Sequence, residues 1–326
     1  MGFNVFVTRE IPKAGLEIVR KHCDPADMNP DDRVLTRAEL LAGVRGRDGV
    51  LCLLTDRIDD EVYEAAGSQC KIFANYAVGY NNVDVPAATR RGILITNTPG
   101  VLTEATADHT WALLLSSARR VSEADAHMRT GEWQGWGPMQ FLGGDVTGRT
   151  LGIIGAGRVG EAVARRSLGF KMNVLYHDRR RNEAIETELK ARQVEMAELL
   201  AESDFVSIHV DLNETTHHLI GANELARMKP TAFLLNTSRG PVVDEEALVR
   251  ALQNRQIAGA GLDVYEDEPK AKPGLLACKN AVLVPHIASA THWTRSQMAI
   301  LAATNLTAAL KGERPPNLVN PEALDA

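Results

Sequence analysis

The most constraining stretch of this chain is T-L-G-I-I-G-A-G-R-V-G-E-A-V-A-R-R, residues 150–166. It sets Gly155, Gly157 and Gly160 at a turn between an apolar strand pattern, Leu151 to Ile154, and a helical pattern from Val159 onward. Taken alone, G-x-G-x-x-G is a weak signal. Its context makes it specific, because Asp178 follows Gly160 by eighteen residues, near the ~20 expected of an acid that holds an adenosine ribose. Gly155 would allow the tight turn, Gly157 would let a pyrophosphate approach the backbone, and Gly160 would let helix and strand pack closely. Arg158 and Val159 then stand at the helix start, where free N–H groups favour an anion. A dinucleotide site on a doubly wound parallel α/β sheet is the prediction.

Asp178 is followed by Arg179, Arg180 and Arg181. A carboxylate accepts from both ribose hydroxyls of NAD and repels a 2′-phosphate, whereas arginines there could bind that phosphate. Because the carboxylate holds the ribose position itself, NAD is the expected cofactor and NADP the alternative.

The rest of the chain keeps the same rhythm. Runs 3–7, 49–54 and 71–75 read as strands, with helices near 12–21, 36–44 and 59–66 between them. Residues 103–129 lack Gly and Pro and carry apolar residues at helical spacing, so one long helix capped by Thr103 is expected. A Gly- and Trp-rich segment, 131–148, is too irregular for a core element and too aromatic for a plain linker. A second series follows: strands 150–154, 172–177, 204–209, 231–235, 258–263 and 281–284, helices 158–168 and 244–252, and a final helix 292–311.

Composition excludes several partners. A net charge of −6 offers no basic excess for nucleic acid or an anionic membrane, and no window approaches the apolar length of a bilayer span. The start M-G-F-N-V-F-V reads as a buried strand rather than a leader, so a cytoplasmic location is expected. Cys23, Cys52, Cys70 and Cys278 lie far apart and read as reduced, buried thiols. No metal site is expected, and His217 and His218 read as histidines of a polar loop.

Three segments each end a predicted strand and each present one ionisable group: N-T-S-R-G (Arg239), G-L-D-V-Y-E-D-E-P (Asp263, Glu268) and V-P-H-I-A-S (His286). Strand carboxyl ends line the ligand crevice of such a sheet, so the three groups could converge. Reduction of a 2-oxo acid needs a cation for the carboxylate, a hydride donor and an acid for the new alkoxide. Arg239, a nicotinamide and His286 fit those tasks, with Glu268 holding the protonated imidazole.

With these residues in view, the chain resembles the D-isomer-specific 2-hydroxyacid dehydrogenases. The resemblance runs through N-Y-A-V-G-Y-N-N-V-D-V at 75–85, N-T-P-G-V-L-T-E at 97–104, the glycine run, N-T-S-R-G-P-V-V-D-E-E-A-L at 236–248, G-L-D-V-Y-E-D-E-P at 261–269 and V-P-H-I-A-S-A-T-H-W-T-R at 284–295. E-D-E-P-K-A-K-P-G-L at 266–275 and P-H-I-A-S-A-T-H-W-T-R at 285–295 are similar to segments of NADH-dependent hydroxypyruvate reductases. Asn81 stands where many members carry Asp.

The resemblance implies that Arg239 binds the substrate carboxylate, His286 donates the proton and Glu268 partners it. It also implies that the N–H groups of Val78 and Gly79 hold the carboxylate, that Thr103, Thr237 and Ser238 lie near the cofactor, and that Asp263 holds its carboxamide. Two doubly wound domains with a cleft between them are implied: a flavodoxin-like substrate domain, 1–98 plus 286–326, and a Rossmann cofactor domain, 99–285. A homodimer is implied as well, embraced through the long helix and the Trp133–Trp136 arm.

The implied activity is reduction of hydroxypyruvate to D-glycerate and of glyoxylate to glycolate. A bulkier 2-oxo acid or phosphite is the substrate alternative, to be decided at Leu53, Leu54 and Thr55, and a dinucleotide-sensing corepressor is the non-enzymatic one.

Overall fold

The computed structural model describes residues 2–325. In chain order the elements are β1 (Phe3–Val7), α1 (Lys13–His22), β2 (Cys23–Met28), α2 (Arg37–Val44), β3 (Gly49–Leu53), α3 (Asp60–Ala66), β4 (Ile72–Tyr76), α4 (Val85–Arg90) and β5 (Leu94–Thr96). Next come α5 (Thr103–Ala118), α6 (Val121–Thr130), β6 (Thr150–Ile154), α7 (Arg158–Arg166), β7 (Asn173–His177), α8 (Glu183–Leu189), β8 (Arg192–Gln193), α9 (Met196–Glu202) and β9 (Phe205–Ile208). The chain continues through α10 (Ala222–Leu225), β10 (Phe233–Asn236), α11 (Glu245–Gln253), β11 (Gly259–Leu262), α12 (Pro273–Leu276), β12 (Ala281–Leu283) and α13 (His292–Leu310).

Two compact units result: one runs to Leu102 and resumes at Ala290, and the other is Thr103–Ser289. Both boundaries fall four residues later than the expected 98/99 and 285/286. The second difference puts His286 in the unit that carries the glycine run. The reason is local: the N–H groups of His286, Ile287 and Ala288 all donate to Asp263, at the end of β11.

In the first unit the sheet order is β2-β1-β3-β4-β5, the flavodoxin-like arrangement, with every pairing parallel. Its central strands are covered on both faces, so they read as unbroken apolar runs: Val50, Leu51, Cys52, Ile72, Phe73 and Ala74 are all fully buried. One face packs on α1 and on α13, through Met298, Ala299, Ala302, Ala303 and Leu306. Gly15 lets α1 approach α13 closely, since a Cβ there would stand 2.6 Å from the Ala299 carbonyl oxygen.

In the second unit the order is β12-β11-β10-β9-β6-β7-β8, again all parallel. The winding reverses between β6 and β9, the place where such sheets take their ligands. Helix α5 covers one face; Trp111 stacks on Phe170 at 4.7 Å and donates its indole N–H to Val163 O at 3.0 Å.

The expected single helix over 103–129 is two. Helix α5 ends at Ala118, and Arg120 takes a left-handed conformation at φ 54 before α6 begins. The returning chain causes the break: Gly144 N donates to Ala118 O, while Arg120 pairs with Glu123, caps Leu142 O and lies over the Phe141 ring. Thr103 is the first helical residue rather than a residue preceding the helix.

Strands β2 and β8 escaped sequence reading because neither is apolar. Both are edge strands, β2 being C-D-P-A-D-M with Pro25 inside it, and β8 only Arg192 and Gln193. All four cysteines are free and buried. Among the described residues no helix is long and apolar enough to cross a membrane.

Gly15→Val is expected to lower stability by about 1–3 kcal/mol through overpacking against α13. A thermal melt followed by circular dichroism checks it, and an unchanged Tm would show that the two helices can separate without cost.

Candidate active site

The glycine run forms a turn at the end of β6. Gly155 has φ +90, closed to most L side chains, and a Cβ on it would meet His209 O at 2.7 Å. At Gly160 a Cβ would stand 2.0 Å from Gly155 O, so helix α7 rests directly on the turn. A Cβ at Gly157, by contrast, would meet nothing within 4 Å. This glycine leaves its backbone open at the N-terminus of α7, where Arg158 and Val159 lie and the first-turn N–H groups lack helical partners.

Asp178 ends the neighbouring strand β7 and ties the two turns together. Its Oδ2 accepts from Ala156 N at 2.8 Å and its Oδ1 from Arg180 N at 2.9 Å. Each carboxylate oxygen has a further lone pair, so the group is fixed in place yet still able to accept. A recess of about 470 Å³ opens here, lined by Ala156, Gly157, Asp178, Arg180, Asn182 and others. Of the three arginines, Arg181 is engaged by Glu186 at 2.6 Å, whereas Arg179 and Arg180 are exposed. An open backbone at a helix start beside a fixed carboxylate fits a dinucleotide.

The three neighbouring strands β10, β11 and β12 deliver the predicted ionisable groups to one edge of the sheet. After β10, Asn236 shapes the turn: its Oδ1 accepts from Ser238 N and Ser238 Oγ at 3.0 and 2.8 Å, and its Nδ2 donates to Arg239 O at 2.9 Å. Thr237 is buried, its hydroxyl 2.9 Å from that of Thr110 on α5. Arg239 donates through Nη1 to Ser238 O at 2.7 Å. Burial lowers the pKa of this guanidinium from its ordinary value, and the charges of Glu268 and Asp211 oppose the shift. Arginine remains a cation regardless.

After β11, the chain reaches Glu268 by a turn in which Glu268 Oε1 accepts from Tyr265 N at 3.1 Å. Its Oε2 lies 2.9 Å from His286 Nδ1. His286 itself has φ 53, an uncommon conformation for a residue with a side chain, and three bonds impose it. His286 N donates to Asp263 O at 2.9 Å, Ile287 N to Asp263 Oδ1 at 2.6 Å and Ala288 N to Asp263 Oδ2 at 2.8 Å. Asp263 is fully buried, so here its carboxylate serves the loop that carries His286.

The structure thus brings Arg239, Glu268 and His286 into one neighbourhood, with Glu268 hydrogen-bonded to the His286 ring and its charge acting on Arg239. Thr103, Thr237, Ser238 and Asp263 belong to the same unit. Val78 and Gly79 lie in the first unit, where Asn97 donates to Val78 O at 2.8 Å and Asn75 to Gly79 O at 3.0 Å. Their backbone is held by its carbonyls.

Sequence reading missed several supports. Glu245, nearly buried at the start of α11, accepts from Glu266 N at 2.9 Å and Lys272 N at 2.7 Å and so frames the Glu268 turn. Asn236 had a readable signal in N-T-S, a side chain that caps its own turn. At Gly240 a Cβ would stand 1.8 Å from Tyr265 O; the absent side chain lets the Arg239 loop lie against the Glu268 turn. His209 ends β9 with Nε2 2.8 Å from Ser207 Oγ and a buried, unpartnered Nδ1, and burial pushes its imidazole pKa down to about 3.

Residues 111–288 match the family described as D-isomer specific 2-hydroxyacid dehydrogenase, NAD binding domain. The chain is 54% identical over 322 residues to the glyoxylate reductase of Korarchaeum cryptofilum, covering 98% of this chain and 96% of that one. The crystal structure of the TT0316 protein from Thermus thermophilus is 46% identical, with a TM-score of 0.89 over 97% of this chain and 99% of that one. An NADPH-dependent glyoxylate/hydroxypyruvate reductase from Sinorhizobium meliloti, crystallised with NADP and malonate, is 34% identical with a TM-score of 0.84 over 98% and 97%.

Gly240→Ala is expected to cost about 1–3 kcal/mol of stability and to separate the two loops. A melt together with a structure of the variant checks this; an Arg239 loop still seated against Tyr265 would contradict it.

Proposed function

Because the chain belongs to the D-isomer-specific 2-hydroxyacid dehydrogenase family, we propose that it reduces glyoxylate to glycolate and hydroxypyruvate to D-glycerate, with NADH preferred over NADPH. Residues 111–288 match the family's NAD binding domain, so a nicotinamide dinucleotide is the cofactor. The observation that carries the reading is the His286–Glu268 pair at 2.9 Å beside the half-buried Arg239, on adjacent strand ends of the same unit as the glycine turn.

When bound, the dinucleotide supplies the hydride that goes to the substrate's carbonyl carbon. Gly157 and the start of α7 hold its pyrophosphate, Asp178 its adenosine ribose, and Thr103, Thr237 and Ser238 flank it. Arg239 binds the substrate carboxylate and polarises the keto oxygen. His286 gives that oxygen a proton from Nε2, since Nδ1 faces Glu268. In oxidation the same ring takes the proton back. The unit with the glycine turn is thus the cofactor domain, and the other the substrate domain.

Asp178 supports NADH, because a fixed carboxylate at the ribose repels a 2′-phosphate. Arg179 and Arg180, exposed beside it, support residual use of NADPH. A homodimer is part of the proposal: Val121, Met128, Trp133, Trp136, Met139 and Leu142 form an exposed apolar arm that a second copy would cover.

Mixing the protein with NADH or NADPH and a panel of 2-oxo acids, while following absorbance of the reduced nicotinamide, tests the activity. No oxidation with glyoxylate or hydroxypyruvate would refute it. Arg239→Ala is expected to reduce kcat/KM by roughly thirty- to several-thousand-fold, chiefly through KM, as a lost charged anchor should. His286→Ala is expected to reduce kcat by about 10²–10⁴-fold while NADH binding, read by fluorescence titration, is retained. Wild-type-like kinetics in either variant would remove that residue's assigned role.

A further inference from the structure

His217 and His218, which the sequence alone places in a polar loop, meet a third group on another segment. His218 Nε2 lies 2.5 Å from Glu266 Oε1, and the two imidazoles stack with centroids 4.0 Å apart. One donor atom from each of His217, His218 and Glu266 can be chosen so that all three lie within 4.8 Å of one another. We propose that these residues form a site for a divalent first-row transition ion of the Zn²⁺ or Ni²⁺ class, separate from the catalytic set.

The donor chemistry selects the ion. Two imidazoles and one carboxylate suit borderline ions, whereas Mg²⁺ and Ca²⁺ want an all-oxygen shell. A tetrahedral ion with bonds of about 2.0–2.2 Å spaces its ligands by roughly 3.4 Å. Side-chain rotations that close a gap of at most about 1.4 Å at the widest pair, and open the 2.5 Å His218–Glu266 contact, therefore complete the site. Three protein ligands on an exposed surface leave the fourth position to water.

The backbone under these side chains is built rather than loose. His217 N donates to Asn213 O at 2.9 Å and His218 N to Pro241 O at 2.8 Å, while Glu266 N is held by the buried Glu245 at 2.9 Å. His218 takes φ 52, which the hydrogen bonds at 218 and 220 to the 241–242 segment sustain. The competing cation is Lys272, whose Nζ lies 3.6 Å from the other Glu266 oxygen, Oε2. That contact leaves Oε1 to the histidines, and it weakens ion binding by charge repulsion.

Titrating chelator-stripped protein with Zn²⁺ alone, then with Ni²⁺, by calorimetry tests the site. One equivalent that is weakened about ten-fold or more by each of His217→Ala, His218→Asn and Glu266→Gln is the expected result. Asn is chosen at 218 because it tolerates the left-handed conformation. Lys272→Gln is expected to tighten binding, which a plain ion pair between His218 and Glu266 gives no reason for. Thermal melts and reductase assays of the same variants confirm that they are folded. Failure of the wild type to take up an ion below about 1 mM, or equal titrations for wild type and both histidine variants, would overturn the proposal.

Discussion

The arrangement rests on a buried carboxylate. Asp263 is wholly shielded from water, and a bare charge in that position would be untenable without donors. Its donors are the amides of Ile287 and Ala288, and its own carbonyl takes the amide of His286. The cost of burying the charge is thereby offset by ordering a turn that would otherwise resist its geometry, since His286 must adopt φ 53. The carboxylate is enclosed, and its two amide bonds hold the turn. A histidine meant to present one face of its ring reproducibly needs such a constraint, and the sheet provides it from the end of the adjacent strand.

The same logic extends sideways across the sheet. Parallel strands fix the spacing of their ends but not the course of the loops beyond them. The loops here are fixed by one another: Gly240 against Tyr265, Glu245 receiving Glu266 and Lys272, and Glu268 closing on Tyr265 before it reaches His286. Each loop depends on a contact from its neighbour. Arg239 is half-buried in this web, its Nη1 donating to Ser238 O at 2.7 Å and its charge facing that of Glu268.

What could be read from residues alone follows from which signals are local. The glycine turn, Asp178 and the strands of the second unit other than β8 are set by short-range pattern, and the structure has them within a residue or two of expectation. The convergence of Arg239, Glu268 and His286 was legible because strand ends in a parallel sheet share an edge. By contrast, β2 and β8 carry no apolar run, since edge strands need none. The break at Arg120 depends on Gly143 and Gly144 returning to Ala118, a contact no window over 103–129 contains. Asp263 illustrates the limit most clearly: its place after β11 was readable, but its partners on the next loop were not. His218 and Glu266, 48 residues apart, belong to the same class.

The charge arithmetic around Glu268 explains why one carboxylate stands between two basic groups. Its Oε2 faces His286 Nδ1, which leaves Nε2 as the ring nitrogen that Glu268 does not engage. Its field also opposes the burial of Arg239, a second service from the same charge. Both contacts come from one side chain, so loss of the Glu268 carboxylate would release the His286 ring and remove the charge that opposes the burial of Arg239 in one step.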